Sequence, residues 1–494
     1  MEITNEWTNL AKQITFRNQL FIDGKFVSAL SGKTFEAISP IDQRKLTDIS
    51  AGQIEDVDSA VKSAKKAFDS GIWRNLNPRD KKEIMLKWAD LVRQNYREIA
   101  LLETLEVGKP IGDTSGYDAL AVARNIQWYA ETIDKTYDEI APAPKNALAM
   151  ITREPLGVIG AIVPWNYPIV IASWKFAPAI AIGNSVVLKP SEESSLATLT
   201  IAELAIEAGI PSGVFNVVTG LGGEAGKALA LHNDVAKIAF TGSPGVGRMM
   251  LQYASESNMK QVSLELGGKS PQVVLNDVDD LDAAASTIAW GIFYNSGQTC
   301  NAGSRVIVQS EIKDALFEKL NQFVEKFRCG NPLDSQTQMG PVVSLKQRDR
   351  INSYLKLVGA SGEKFVFGGK QPSGDDCIFE PTLIDGVTHD SKLVQEEIFG
   401  PVIVTEIAKN ESHALELANG TEYGLAASVW SGNISKAHNF ARKLRAGTVW
   451  INTFDMSDVI TPFGGFKNSG SGRDKSLHAL DAYSALKTTW VDLN

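Results

Sequence analysis

The chain is poor in cysteine and histidine, the side chains that hold most structural metals. Its 494 residues contain 3 cysteines and 5 histidines. Cys300, Cys329 and Cys377 are widely spaced without a C-x-x-C pair, and the histidines show no H-x-x-x-H spacing. A disulfide framework or a zinc site would need such pairs. We therefore predict neither a disulfide-stabilised fold nor a bound metal.

Positive charge is also in deficit. The 49 Lys and Arg residues are outnumbered by 58 Asp and Glu residues, which gives a formal net charge of −9 at pH 7. Nucleic acids and anionic membranes bind basic faces, so we expect neither as a partner. An anionic cofactor remains compatible, because a local site can be positive. The first residues, MEITNEWTNLAKQ, lack the apolar core of a secretion signal, and we expect a cytoplasmic protein.

A long uninterrupted hydrophobic run is absent as well. The most apolar stretch, residues 155–188, has Lys175 as its single formal charge, but Pro164, Pro168 and Pro178 interrupt it. A membrane-spanning helix needs about 20 consecutive apolar residues. We therefore interpret this stretch as a buried strand, a loop, a helix and a second buried strand.

The composition is that of a globular protein, with strands and helices that alternate. Hydrophobic residues make up 44% of the chain and charged residues 22%, and the length corresponds to about three domains. Helical patterns over 56–69, 78–107 and 117–135 precede an alternation of apolar strands and amphipathic helices over 155–262, which resumes afterwards. This alternation predicts an α/β fold with two parallel-sheet domains. The C-terminal ALKTTWVDL has no obvious partner strand in the chain and could join a sheet of another subunit.

Cys300 lies in the polar, glycine-containing segment NSGQTCNAGSR, residues 295–305. Most cysteines are small buried hydrophobic residues, and that interpretation is open here. Its neighbours Thr299 and Asn301 are polar, however, which favours an accessible thiol that acts as a nucleophile.

Glu265 lies near the end of an apolar strand pattern in VSLELGGKSP, residues 262–271. An unpaired carboxylate in such surroundings is costly. The residue is therefore either ion-paired with a neighbour or a general base whose pKa is raised by burial. Gly267 and Gly268, which follow, would permit close approach of another backbone.

Two further segments place polar side chains after predicted strands. In IVPWNYP, Asn166 lies between two prolines and is either a turn former or an amide that donates to a developing oxyanion. In VVLKPSE, Lys189, Ser191 and Glu192 follow the end of a buried strand, where open α/β sheets bind ligands.

The segment IAFTGSPGVGR, residues 238–248, runs from a strand into a predicted helix start. Its glycines, with Ser243 among them, suit a phosphate held by backbone N–H groups. Their spacing is not the G-x-G-x-x-G of dinucleotide-binding proteins, so this motif alone is weak.

Taken together and in this order, these segments resemble the NAD(P)-dependent aldehyde dehydrogenase superfamily. The resemblance extends from LFIDGKF near the N-terminus to SGSGRD near the C-terminus and includes EEIFGPV, residues 396–402, and TPFGGFKNSG, residues 461–470. Within the superfamily, IQWYAETIDK and SGRDKSLHAL are most similar to gamma-glutamyl-gamma-aminobutyraldehyde dehydrogenases of putrescine degradation.

The resemblance implies oxidation of an aldehyde to its carboxylic acid through a cysteine thioester. Cys300 would be the nucleophile, Asn166 and the Cys300 N–H would hold the oxyanion, and Glu265 would activate the hydrolytic water. The substrate would be an omega-amino or gamma-glutamylamino aldehyde. Betaine aldehyde, succinic semialdehyde and broad aliphatic aldehydes stay open, as does a catalytically silent nucleotide-binding or structural homologue. Retention of Glu265 argues against transfer of the thioester to coenzyme A.

The resemblance also implies the residues that hold the cofactor and the substrate. We expect NAD rather than NADP, because Glu192 would bind the adenosine ribose and repel a 2′-phosphate. The implied cofactor-binding residues are Ile162, Val163, Pro164, Trp165, Lys189, Ser191, Glu192, Gly222, Gly226, Phe240, Thr241, Gly242, Ser243, Val246, Leu266, Glu397 and Phe399. The implied substrate-tunnel residues are Tyr167, Trp174, Tyr294, Asp455, Asp458 and Phe463.

Asp455 and Asp458 lie in the loop 455–460, which in this family surrounds the aldehyde entrance. A carboxylate there would attract an ammonium and repel an acidic tail, although both aspartates could instead be ordinary solvated loop charges. Asp118 could also reach the entrance. Many relatives have Glu where this chain has Asp474, so a proton-relay role for Asp474 is in doubt.

The family fold implies three parts and a homodimer or homotetramer. The predicted NAD-binding domain comprises 1–134 and 152–262, and the catalytic domain comprises 263–478. A small β extension for oligomerisation comprises 135–151 and 479–494.

Overall fold

The computed structural model describes the backbone of residues 2–494 and the side chains of residues 6–494. Its helices are α1 Glu2–Gln13, α2 Ile54–Ser70, α3 Pro78–Gln94, α4 Tyr96–Val107, α5 Ile111–Asp113, α6 Ala119–Thr132, α7 Pro168–Ile182, α8 Leu196–Ala208, α9 Lys227–Leu231, α10 Pro244–Glu256, α11 Leu281–Phe293, α12 Lys313–Val324, α13 Leu345–Leu355, α14 Lys392–Gln395, α15 Glu411–Asn419, α16 Ile434–Ala441 and α17 His478–Ala482.

The strands lie in three larger sheets and one hairpin. They are β1 Leu20–Ile22, β2 Lys25–Val27, β3 Thr34–Ile38, β4 Lys45–Ser50, β5 Glu139–Ala141, β6 Ala147–Pro155, β7 Val158–Ile162, β8 Ser185–Lys189, β9 Phe215–Val217, β10 Val235–Thr241, β11 Gln261–Glu265, β12 Pro271–Val274, β13 Arg305–Gln309, β14 Lys364–Phe367, β15 Thr382–Asp385, β16 Val402–Ala408, β17 Ala426–Trp430, β18 Thr448–Ile451, β19 Gly470–Ser471 and β20 Ser484–Asp492.

The first sheet has the order β19-β11-β10-β7-β8-β9-β1-β2. Strands β11, β10, β7, β8 and β9 are parallel to their neighbours, while β1 and β19 join antiparallel. The central strands β7 and β8 are buried along their whole length, because helices cover both faces. Helices α7 and α8 pack on one face, and α2 and α9 pack on the other, as continuous apolar strands require.

The second sheet has the order β14-β15-β16-β13-β12-β17-β18. It is parallel except for the edge strand β14. Helices α11 and α12 pack on one face, and α15 and α16 on the other. The predicted α/β class with two parallel sheets is thus confirmed.

The third sheet, β20-β6-β5, corrects the expectation for the C-terminal strand. Strand β20 has a partner in its own chain, because it pairs antiparallel with β6 from Ser484↔Pro155 to Asp492↔Ala147. Its other edge is free, so pairing with another subunit stays a prediction.

The division into domains also stays a prediction. The first sheet takes its strands from both sides of the proposed boundary at 262, since β11 crosses it and β19 comes from residues 470–471. Among the described helices, none is long and apolar enough to cross a membrane.

Candidate active site

The carboxyl ends of four neighbouring strands bring the predicted residues to one edge of the first sheet. Ile162 at the end of β7 is paired with Lys189 at the end of β8 and with Phe240 on β10. Thr241 on β10 is paired with Glu265, the last residue of β11. Register alone therefore aligns segments that lie far apart in the sequence.

Cys300 lies in a tightly folded loop after α11. Asn295 and Ser296 adopt left-handed backbone conformations with φ of 48° and 55°, and Gly297 follows with φ of 71°. A Cβ on Gly297 would lie 2.1 Å from the Gly400 carbonyl oxygen, so only glycine fits. A Cβ on Gly268 would lie 2.4 Å from the Cys300 carbonyl oxygen, which confirms close backbone approach at this glycine. At Gly267 the close neighbour is instead the Glu397 side chain, 2.3 Å from an added Cβ.

Asn166 is hydrogen-bonded to the loop that carries Cys300. Its side-chain N–H donates to the Gln298 carbonyl at 2.8 Å, and Asn295 donates back to the Asn166 carbonyl at 3.0 Å. The amide of Asn166 carries a second hydrogen, which leaves a donor beside the Cys300 loop.

Glu265 is buried without an ion pair in the described chain, since the residue is 4% exposed and its Oε2 has no hydrogen-bond partner there. The alternative of a salt-bridged glutamate is therefore wrong. Burial, and after it the charge of Asp474, raises the pKa of Glu265 well above its ordinary value, while Lys175 and Arg473 act in the opposite direction. A carboxyl with a raised pKa is a stronger base once ionised.

The thiol of Cys300 has a raised pKa in this arrangement. Burial of the sulfur is the main cause, and the nearby carboxylates of Glu397, Glu265 and Asp455 add to it. The neutral thiol is thus the stable form, and the sulfur needs a proton acceptor when it attacks. Glu265 is close enough to raise the pKa of the Cys300 thiol and is a candidate for this acceptor.

A buried ion pair that the sequence reasoning did not assign lies behind Glu265. Lys175 Nζ donates to Asp474 Oδ2 at 2.8 Å, with both residues almost completely buried. The one signal for Lys175 was its position as the single charge in an apolar stretch of the chain. A buried lysine is stable in its charged form when a carboxylate compensates it.

On the cofactor side, the side chains after β8 form an ion pair. Lys189 Nζ donates to Glu192 Oε2 at 3.1 Å. Burial acts to raise the pKa of Glu192, but the Lys189 ammonium holds that pKa below its ordinary value. A Cβ added to Gly226 would lie 3.9 Å from the Lys189 side chain, and a Cβ added to Gly222 would meet no atom within 4 Å.

The start of α10 is open, as a bound phosphate would require. Ser243 caps the helix by accepting from the Val246 N–H, and a Cβ on Gly245 would meet no atom within 4 Å. In the part of the chain described, the buried Thr241 hydroxyl has no hydrogen-bond partner. Leu266 packs closely on Gly247. These residues fit a dinucleotide phosphate at the helix N-terminus.

Glu397 and Phe399, which precede the second-sheet strand β16, contact residues that follow β11 and β7 of the first sheet. Glu397 Oε1 accepts from the Gly268 N–H at 2.9 Å, and burial raises its pKa to about 7. The Phe399 ring lies edge-to-face with Trp165, with ring centroids 5.3 Å apart. The predicted contributors from both sheets therefore meet here.

A cavity of about 520 Å³ opens next to the loop 455–460. Trp174 and Asp458 line it, as does Ser457. The other four predicted tunnel residues, Tyr167, Tyr294, Phe463 and Asp455, do not line this cavity. Phe463 packs on Trp174 of its wall. Tyr167 shares a hydrogen bond with Thr299 at 2.9 Å and stacks with Tyr294, and Asp455 accepts from Asn301 at 2.7 Å.

Asp118 is completely buried and does not line this cavity. Its carboxylate accepts from Lys109 Nζ at 2.5 Å. The neighbouring Tyr117 lines the cavity in its place.

The cavity wall also carries charges that the sequence reasoning missed. Arg124, Glu131 and Lys475 line it together with Asp458. Across residues 6–494, none of these four side chains takes part in an ion pair. Glu131 accepts a hydrogen bond from Gln127, Asp458 accepts one from the Ile460 N–H, and Lys475 donates one to Ser457. Lys475 was missed because a lysine after Asp474 is indistinguishable in sequence from a solvated charge.

Residues 26–489 match the family model described as the aldehyde dehydrogenase family. The protein belongs to this family. The chain is 45% identical over 487 residues to the NADP/NAD-dependent aldehyde dehydrogenase PuuC of Escherichia coli K12, with 99% of this chain and 98% of PuuC covered.

Solved structures of the aldehyde dehydrogenase family confirm the fold. The gamma-glutamyl-gamma-aminobutyraldehyde dehydrogenase of Burkholderia cenocepacia is 49% identical, with a TM-score of 0.97 over 99% of this chain and 100% of that one. A mutant of the indole-3-acetaldehyde dehydrogenase AldA of P. syringae, in complex with NAD+ and IAA, is 48% identical, with a TM-score of 0.97 over 99% of each chain. The family uses NAD(P) to oxidise aldehydes.

Proposed function

We propose that this aldehyde dehydrogenase converts an omega-amino or gamma-glutamylamino aldehyde to the carboxylic acid through a thioester on Cys300. The observation that carries the proposal is that the buried, unpaired Glu265 carboxyl lies close to the Cys300 loop. Asn166 is hydrogen-bonded to the same loop. An unpaired buried carboxyl does not stabilise a fold, but its raised pKa suits a group that transfers protons.

The residues divide the reaction between them. As the Cys300 sulfur bonds to the aldehyde carbon, its proton passes to the Glu265 carboxylate, and the free N–H of Asn166 donates to the oxyanion. The dinucleotide, when bound, supplies the acceptor for the hydride. Glu265 releases the thiol proton to solvent and then takes a proton from the water whose oxygen attacks the thioester carbon. The carbon–sulfur bond breaks, and the leaving sulfur takes the proton from Glu265.

For the cofactor we propose NAD in preference to NADP. Lys189 and Glu192 would lie at the adenosine ribose and the start of α10 at the pyrophosphate. The support is the position of Glu192 after β8, where a carboxylate accepts from ribose hydroxyls and repels a 2′-phosphate. The structure of the P. syringae relative contains NAD+, which supports NAD as a cofactor, whereas PuuC is named as NADP/NAD-dependent.

An amino group at the far end of the aldehyde is supported by the charges on the cavity wall and by the name of a relative. Asp458 and Glu131 present carboxylates to the cavity without ionic partners in the described residues, which suits an ammonium. The Burkholderia relative is named for gamma-glutamyl-gamma-aminobutyraldehyde, an intermediate of putrescine degradation in our interpretation.

A second candidate substrate is an arylacetaldehyde. The rings of Tyr117, Trp128 and Trp174 line the cavity, and aromatic side chains bind aromatic ligands by stacking. The P. syringae relative is named for indole-3-acetaldehyde.

Initial rates of NADH formation with amino-aldehydes, an arylacetaldehyde, succinic semialdehyde and propanal would test these proposals. We expect the amino-aldehydes to give the highest kcat/KM. A preference for the acidic aldehyde would contradict the amino-aldehyde proposal, and absence of turnover with every aldehyde would contradict the proposed reaction.

We also propose a cytoplasmic homodimer or homotetramer. The support for a reducing compartment is that the described cysteines are all free thiols. The support for assembly is the free edge of β20, where Leu486 and Trp490 are both more than half exposed.

A further inference from the structure

Lys475 is a buried lysine on the wall of the cavity that we assign to the aldehyde. The residue is 3% exposed to bulk solvent and lines the cavity. Its Nζ donates to the Ser457 hydroxyl and lies 5.3 Å from the centre of the Trp174 ring and 5.7 Å from that of Phe463. The amine therefore lies near two aromatic rings at the cavity wall.

The backbone holds this lysine in place at a cost in strain. Lys475 and Ser476 are consecutive non-glycine residues with φ of 64° and 55°. Such conformations persist where the surrounding contacts enforce them. The contacts here are hydrogen bonds between Phe463 and Asp474 in both directions at 2.8 Å and from the Ser476 N–H to Val459 at 2.7 Å.

Unlike the buried Lys175 and Lys109, Lys475 has no counter-ion among the described residues. Lys175 is paired with Asp474 and Lys109 with Asp118, whereas Lys475 has no carboxylate within ion-pair distance in the described chain.

Burial of Lys475 favours a neutral amine at mildly alkaline pH, against the effect of the surrounding carboxylates. Burial lowers its pKa to about 8, although the carboxylates of Asp455, Asp458 and Asp474 act to raise it. Arg124 and Glu131 face the same cavity from α6. Near pH 8 about half of the Lys475 side chains would be uncharged and nucleophilic.

We propose that Lys475 captures aldehydes reversibly as an imine in this cavity and thereby blocks the passage to Cys300 when aldehyde is abundant. The uncharged amine nitrogen attacks the carbonyl carbon, a proton moves from nitrogen to oxygen, and the carbinolamine loses water to form the C=N bond. Nothing is oxidised or reduced, and addition of water reverses the reaction. The proposal rests on the proposed function only in treating this cavity as the aldehyde entrance.

Lys269 provides an internal control. It is 1% exposed, and burial lowers its pKa to about 7. The space that it lines has a volume of about 10 Å³, enough for about one water molecule. If a lowered pKa alone decided capture, Lys269 would react at least as readily as Lys475. Because the space beside Lys269 is too small for an aldehyde, we expect no reaction there.

The test uses the full-length Cys300→Ala variant, which cannot form the thioester, with propanal and cyanoborohydride at pH 8. The hydride reagent reduces an imine to a stable propylamine, and peptide mass spectrometry locates the propyl group. Exposed lysines with a pKa near 10.4 have about 100-fold less neutral amine at this pH. Since a less basic amine is also less nucleophilic, we expect Lys475 to be labelled on the order of tenfold faster than exposed lysines. Labelling of Lys475 at the rate of exposed lysines would overturn the proposal.

Kinetics of the Cys300-containing enzyme separate this proposal from the proposed function. We expect inhibition by high propanal concentrations, and we expect Lys475→Arg, which keeps the charge but forms no imine, to weaken that inhibition several-fold. Turnover by the parent enzyme without preferential labelling of Lys475 would defeat imine capture and leave the dehydrogenase assignment intact. Absence of turnover together with labelling would instead count against the proposed function alone.

Discussion

At the scale of single residues, Cys300 and Glu265 have separable tasks, because the sulfur forms a bond and the carboxyl moves protons. We expect Cys300→Ala to abolish dehydrogenase and esterase activity, while Cys377→Ala, a change at a buried cysteine outside the site, preserves both. Glu265→Gln should slow thioester hydrolysis most, by about 10²–10⁴-fold, and more than it slows thioester formation, so that the acylated enzyme accumulates and is detected by mass spectrometry. Full turnover by Cys300→Ala would contradict the nucleophile assignment.

The raised pKa of Glu265 predicts an acidic limb in the pH profile. The carboxylate is the competent base, and since its pKa is raised, activity should increase with pH through that pKa. Asp474 contributes to the shift, so Asp474→Asn should move the limb of kcat/KM to lower pH. Asp481→Asn, a change at an exposed aspartate paired with Arg153, is the control. A limb that moves to higher pH, or does not move, would show that Asp474 does not act on Glu265 by charge.

At the scale of elements, the end of β8 should determine the choice between NAD and NADP. Glu192→Gln removes the charge that would repel a 2′-phosphate but keeps a hydrogen-bonding amide, and Lys189 is released from its ion pair. We expect kcat/KM with NADP relative to NAD to rise by on the order of tenfold. Glu193→Gln at the adjacent residue is the matched control. An NADP preference in the parent enzyme would exclude Glu192 as the discriminating residue.

The loop 455–460 should determine the response to the substrate's charge. Asp458→Asn removes a carboxylate from the cavity wall, so KM for a cationic aldehyde should rise several-fold, and KM for propanal should stay nearly unchanged. The effect is limited by Arg124 and Lys475, which place positive charge on the same wall. Equal changes for both aldehydes in steady-state rates would show that Asp458 is an ordinary solvated charge.

Elements defined by local pattern could be predicted from the sequence, and those defined by distant pairing could not. The buried strands β7 and β8 are continuous apolar runs. Glu265 is the last residue of the strand pattern of β11, and Cys300 lies in a polar, glycine-containing segment. The partner of β20 lies more than 300 residues earlier in the chain, so no local signal identifies it. Lys475 reaches the cavity through a strained turn, which sequence periodicity does not encode.

At the scale of the whole molecule, the β20-β6-β5 sheet is the feature that predicts assembly. Strand β20 has one free edge, and its Leu486 and Trp490 are 62% and 61% exposed. Exposed apolar side chains on an unpaired edge promote pairing with another chain. We therefore expect light scattering to give a mass that is two or four times the 53.5 kDa of the chain.

Substitution on this strand tests the assembly without touching the active site. Leu486→Asp combined with Trp490→Asp should shift the protein toward the monomer, because charge on an edge opposes strand pairing. Lys487→Asp changes a charge on the same strand, in its ion pair with Glu154, and serves as the matched control with a smaller expected effect. Circular dichroism would establish that the variants are folded, since β20 still pairs with β6. A parent protein of 53.5 kDa in solution, or a double variant with unchanged mass, would show that the free edge of β20 is not the interface.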